Sequence, residues 1–164
     1  MTMTTNEQSI VDADAFTVRR TVTIAADHDK VWAAITEPEH IAKWFGDTAT
    51  LDRLEAGADG TFGWNDYGNF PIRIEELGAP HTIAYRWGNE NATPSEELDP
   101  DRSTVFRFTV EPLEPDADGR PRTRLTVVES GFNTLADPTA AMESNRGGWN
   151  SELDELVAYL EELE

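Results

Sequence analysis

The sequence has no cysteine, only two lysines (Lys30 and Lys43), and no apolar run that approaches a membrane span. Without cysteine there is no thiolate nucleophile, redox switch, thiolate metal site or disulfide scaffold. A transmembrane helix would need about 18 consecutive apolar residues, and none occur. Residues 1–15 lack both a basic start and an apolar stretch of signal-peptide length, which predicts a cytoplasmic protein. Asn91-Ala92-Thr93 matches a glycosylation sequon, a match without consequence where no secretion signal precedes it. Positive charge is scarce: 13 Lys and Arg stand against 32 Asp and Glu, a formal net charge of −19. Such a surface repels phosphate backbones and anionic lipid heads, which excludes electrostatic nucleic-acid binding and peripheral membrane attachment. The acidity itself fits either a high-salt cytoplasm or a compositionally biased genome.

The common chemical motifs are missing as well. There is no Gly-x-Ser-x-Gly elbow, Walker loop or dinucleotide fingerprint, so no cofactor is expected. Residues 114–125 keep Asp116, Asp118 and Gly119 of a calcium loop but end on Leu125, where a bidentate Glu is required. His28, His40 and His81 fall at separate predicted element starts without ligand spacing, so no metal is expected either.

What is present is a clear division of periods. At 164 residues the chain suits one domain, large enough to bury roughly 70% of its unfolded surface without staples. Residues 1–14 are polar and aperiodic and read as a disordered tail, leaving 15–164 as the domain. Phe16, Val18, Val22 and Ile24 alternate with polar residues as a first strand, interrupted by Arg20. Asp27 can cap a short helix carrying Val31 and Ile35, and Glu37-Pro38 starts a second with Ile41, Trp44 and Phe45 inward. Alternation then predicts strands at 48–54, 60–66, 69–76, 81–87, 103–111 and 122–130, with a turn at Asp66-Tyr67-Gly68-Asn69 and a long acidic loop from Gly88 to Arg102. Met142, Trp149, Leu153, Leu156, Val157 and Leu160 form one helical stripe opposite Glu152, Glu155, Glu161 and Glu162. Gly147-Gly148 predicts a bend, with the firm helix beginning at Trp149. The result is an α+β protein: a curved antiparallel sheet of about seven strands around a long C-terminal helix, with two short helices after strand one.

Strand parity singles out two charges. Arg20 shares the face of Val18 and Val22, and Glu129 that of Leu125 and Val127, so both should point inward. Buried charges are costly unless paired, which suggests pairing with each other or with a ligand; the alternative is a solvated position at a strand end or cavity mouth. Trp64, Ile72, Tyr85, Trp87, Phe106, Phe108, Trp149 and Leu153 fall on inner faces, as core or as the wall of a cavity. Trp149, directly after Gly147-Gly148, should face Tyr85 and Trp87 at the entrance to such a cavity.

Several segments, in order, resemble a known family: Val31-Trp32-Ala33-Ala34-Ile35-Thr36-Glu37-Pro38-Glu39-His40-Ile41 with Trp44-Phe45-Gly46, then Ala84-Tyr85-Arg86-Trp87, Val127-Val128-Glu129-Ser130-Gly131-Phe132 and Gly148-Trp149. They are similar to the START-like (SRPBCC, Bet v-type) superfamily, and within it to proteins like the C-terminal domain of the activator of heat-shock protein 90 ATPase. The resemblance implies a helix-grip fold whose sheet and helix enclose a cavity for an apolar or amphipathic small molecule. It implies no particular reaction. Three functions follow as expectations: a non-enzymatic binding protein; a cyclase-like or hydrolytic enzyme with Glu129 as acid/base and Tyr85 or Arg20 orienting substrate; or a stress-response module with a chaperone partner, using the acidic loop or terminal helix.

Overall fold

Period-two alternation becomes one twisted sheet and period-3.6 patterning becomes three helices in the computed structural model, which describes residues 6–66, 68–88 and 98–162. In chain order the elements are β1 (Ile10–Asp12), β2 (Thr17–Ile24), α1 (His28–Thr36), α2 (Pro38–Trp44), β3 (Thr48–Leu51), β4 (Asp59–Trp64), β5 (Gly68–Gly78), β6 (Thr82–Trp87), β7 (Thr104–Leu113), β8 (Arg122–Ser130) and α3 (Pro138–Glu162). All eight strands belong to one antiparallel sheet in the order β1-β2-β8-β7-β6-β5-β4-β3. Two short helices follow the strand that carries Arg20, and the long helix closes the chain, as the sequence patterning predicts.

Local chemistry explains the boundaries. The Asp27 side chain accepts from the Lys30 N–H at 2.9 Å and caps α1, while Pro38 opens α2 at a position where its missing N–H costs nothing. The Trp44 indole donates to the Ala34 carbonyl at 2.8 Å and docks α2 on α1. One sheet face supplies the core: Val18, Val22 and Ile24 from β2, Ile72 and Ile74 from β5, Phe106, Phe108 and Val110 from β7, and Leu125 and Val127 from β8 are all buried. Against them α3 presents Met142, Trp149, Leu153, Leu156, Val157 and Leu160, the stripe read from the sequence.

Three expectations need correction. Residues 6–12 are not a disordered tail: β1 pairs with β2, Asn6 exchanges hydrogen bonds with the Thr23 backbone, and the Ser9 N–H and hydroxyl both donate to Asn150 Oδ1 at 2.7 and 2.8 Å. A three-residue strand is too short to show alternation, and side-chain-to-backbone bonds leave no periodic trace. This edge strand raises the sheet to eight. Secondly, α3 runs unbroken through Gly147-Gly148. Each glycine costs about 1 kcal/mol against alanine, a penalty outweighed by burial of Met142 before the pair and Trp149 after it. Thirdly, the acidic face of α3 is not all solvated, since Glu161 accepts a hydrogen bond from the Ala25 N–H at 2.8 Å. Most of the expected acidic loop (89–97), the sequon within it and Tyr67 of the expected turn lie outside the described residues.

Leu156 has no solvent exposure, whereas Glu162 is exposed on the same helix. Leu156→Ala should cost about 2–5 kcal/mol in urea melts. Glu162→Ala should stay within about 0.5 kcal/mol.

Candidate functional site

Glu129 sits at the inner end of β8, paired with Val18 on one side and Phe106 on the other, and is completely buried. Strand parity turns it inward, where the neighbouring elements meet its carboxylate with hydrogen-bond donors. Trp87 at the end of β6 donates its indole N–H to Oε2 at 3.0 Å, and Thr104 at the start of β7 donates its hydroxyl to the same oxygen at 2.5 Å. From α3, the Trp149 indole donates to Oε1 at 2.9 Å, and the Asn145 amide reaches both oxygens at 3.0 and 3.1 Å. An indole N–H can only donate, so Trp149 requires an acceptor at this place, while the Trp87 N–H is shared between Glu129 and the Thr104 hydroxyl, also at 3.0 Å. Burial holds the Glu129 carboxyl above its ordinary range, and the bonds from Thr104, Trp87, Trp149 and Asn145 offset only part of that rise. With its acceptor positions taken by protein donors, Glu129 works as a node joining two strands to the helix.

Above this node lies a pocket of about 130 Å³. Phe45, Trp64, Trp87 and Trp149 form its walls, and Asn145, Gly148 and Glu152 line it from α3. Phe45 organises the rings: it stacks on Trp149 at 5.8 Å and 17°, and meets Trp64 and Trp87 at 5.4 and 5.7 Å. Its placement depends on Gly46, which ends α2 at φ +73; a Cβ there would come within 2.5 Å of the Gly63 carbonyl and 3.1 Å of the Trp64 ring. At Gly148 an added Cβ would meet nothing within 4 Å, so the missing side chain leaves the mouth open.

Glu152 is the second carboxyl of the site. It is half-buried, and its Oε2 has no hydrogen-bond partner among the described residues. Burial first, then the neighbouring carboxylates of Glu155 and Asp47, push it up from 4.5 to about 7.

The residues singled out from the sequence therefore separate. Trp64, Trp87 and Trp149 line the pocket and Glu129 anchors two of them. Tyr85, Phe106 and Phe108 belong to solid core beneath, where the remaining void is only about 10 Å³, and the Tyr85 hydroxyl donates to the Ile35 carbonyl at 2.7 Å. Ile72 and Leu153 are buried core. Trp149 meets Trp87 through their shared carboxylate, and its ring packs on Phe45, Phe106 and Phe108. Arg20 is buried as expected but does not pair with Glu129. Its guanidinium donates to the carbonyls of Glu7, Trp149 and Asn150 and to Asp154 Oδ1 at 2.7 Å, clamping α3 to the N-terminal segment.

Phe45, Asn145 and Glu152 were not singled out for the site. A signal existed: Asn145, Trp149 and Glu152 are spaced i, i+4, i+7 and so share a helix face. The histidines too have partners the sequence hides. His28 and His81 meet edge to face at 5.3 Å, and His40 Nδ1 lies 2.7 Å from the Tyr159 hydroxyl. His40 also brings a ligand-type atom within 4.8 Å of those of Glu37 and Glu39.

A curved antiparallel sheet holding a long C-terminal helix, with a pocket where the two part, defines a helix-grip protein of the START-like class. Within it the chain belongs to the family of activator of Hsp90 ATPase homolog 1-like proteins, whose model matches residues 25–161. No curated protein matches the chain significantly. Among solved structures it is similar to MLL2253 from Mesorhizobium loti, with 22% identity, 90% of this chain and 98% of that one covered, and a TM-score of 0.70. The Aha1 dimer from Colwellia psychrerythraea is similar at 18% identity, covering 88% and 96%, with a TM-score of 0.63. DynU16, from the dynemicin biosynthetic locus, shares 25% identity at a TM-score of 0.66; 88% of this chain aligns with 47% of that one. At such identities the two bacterial structures speak for the fold alone.

Two predictions follow from the carboxyls. In Glu129→Gln either amide orientation turns an NH₂ toward an indole N–H, so the variant should lose about 1–3 kcal/mol in denaturant melts. Glu152 holds its proton more tightly folded than unfolded, so its contribution to stability is present below pH 4.5 and lost as pH rises to about 7. Glu152→Gln should therefore show a shallower fall in stability over that window, measured by urea melts at successive pH values, and should be the more stable form at pH 8.

Proposed function

We propose that this protein is a cytoplasmic, non-enzymatic domain that binds a small amphipathic molecule in the pocket beside Trp149. The observation that carries this reading is the pocket itself, an aromatic enclosure with few polar groups, which is the usual composition of a small-molecule site. Its volume sets the scale. Sites for drug-sized ligands run from about 300 Å³ upward, whereas a cavity near 150 Å³ holds a benzene ring. The inserted part of the ligand is thus about one ring or a short alkyl branch, with any remainder outside. A general acid or base at Glu129 is not favoured, because protein donors already occupy its oxygens and none points it at a substrate.

The five tryptophans provide an internal control. Benzyl alcohol, a neutral ring-sized probe, should shift the indole N–H resonances of Trp64, Trp87 and Trp149 saturably and leave Trp32 and Trp44 in place. Gly148→Leu should abolish those shifts without lowering the melting temperature, since leucine favours the helix and fills the mouth. Five unmoved resonances, or five that move alike, would contradict the reading.

A further inference from the structure

The pocket has a polarity as well as a shape. Among the described residues its lining includes no lysine, arginine or histidine, and its titratable side chain is a carboxyl, Glu152. Glu155 on α3 and Asp47 in the α2–β3 connection add negative charge around that group. An anionic ligand, including a fatty-acid carboxylate, would enter against every one of these charges. A purely apolar ligand would leave Glu152 Oε2, already buried, without a donor, which is unfavourable for a buried polar atom. A metal ion would find one available carboxylate among phenyl and indole rings, and an indole N–H has no lone pair to offer. An organic cation satisfies all of these constraints, because aromatic rings attract ammonium groups and a carboxylate at the rim supplies the counter-charge.

We propose that the ligand of this pocket is an organic ammonium compound, its charged nitrogen held among Trp64, Trp87 and Trp149 and neutralised by the Glu152 carboxylate. This rests on the pocket being a binding site, and it adds the chemical class of what binds. Glu152 is then a specificity residue rather than part of the acidic surface. The charge on the pocket must also vary with pH. Glu152 gains its negative charge as pH rises through about 7, so a permanent cation should bind more tightly above that value than below it.

The test compares three probes of one ring each at constant ionic strength, followed by the indole resonances: benzyltrimethylammonium, benzyl alcohol and benzoate. The ammonium should bind at least about tenfold more tightly than the alcohol, in the range expected of a desolvated cation–π contact with a counter-charge. Benzoate should not bind. Between pH 6 and 8 the ammonium affinity should rise by about tenfold, the ratio of ionised fractions for a group titrating near 7, while the alcohol affinity stays constant. Glu152→Gln should erase the pH dependence, reduce the preference to what the aromatic rings alone supply, and still bind the alcohol, which shows that the pocket is intact. Equal affinities for ammonium and alcohol would overturn the cation assignment, and a preference and pH dependence both unchanged in Glu152→Gln would overturn the role of Glu152; either result leaves the binding reading standing. Failure of all three probes would overturn both.

Discussion

A carboxylate with no access to water has to be met by donors, and the way Glu129 meets that demand fixes most of what is specific about this molecule. The donors come from β6, β7 and α3 through Trp87, Thr104, Asn145 and Trp149. Removing Glu129 would leave the buried Trp149 indole N–H without its acceptor and take one from Trp87, whose N–H also reaches the Thr104 hydroxyl; keeping it without these donors would strand a buried polar group. The position of the long helix on the sheet and the position of the pocket walls are therefore one constraint.

Trp149 is held twice. Its indole reaches Glu129, while its backbone carbonyl accepts from Arg20, whose guanidinium also takes Asn150 and Asp154 of the same helix. The two buried charges of the sheet face thus act on the helix separately instead of forming an ion pair with each other. The consequence for chemistry is in the charge balance. Because neutral donors satisfy Glu129, no cation is brought to the site, and the pocket keeps the negative character that Glu152 and its neighbours give it.

Much of this was legible in the sequence because it is periodic. Alternation located seven strands, the helical stripe located the buried face of α3, and the same parity turned Arg20 and Glu129 inward. Non-periodic features were hidden. The N-terminal segment is held by Asn6, Ser9 and a three-residue pairing, none of which leaves a repeat. Gly147-Gly148 read as a bend because local propensity disfavours glycine in helices, and packing on both sides overrides it. Partners across the sheet cannot be read from parity, which gives direction but not distance, so two charges that share an inward face need not pair, and Arg20 and Glu129 each have partners of their own. Glu152 reads as part of the solvated face by its charge, but its three-residue spacing from Trp149 puts it on the pocket side of α3 beside Gly148.

The central claim is that one buried carboxylate locks the helix to the sheet through the indoles of Trp87 and Trp149, and hydrogen exchange at those two N–H groups tests it most directly. If the claim is right, both indole protons exchange only on global unfolding, as slowly as the most protected amides of β7 and β8. Exchange at the rate of a solvated indole, with the sheet amides still protected, would show that Glu129 does not hold them and would contradict the account.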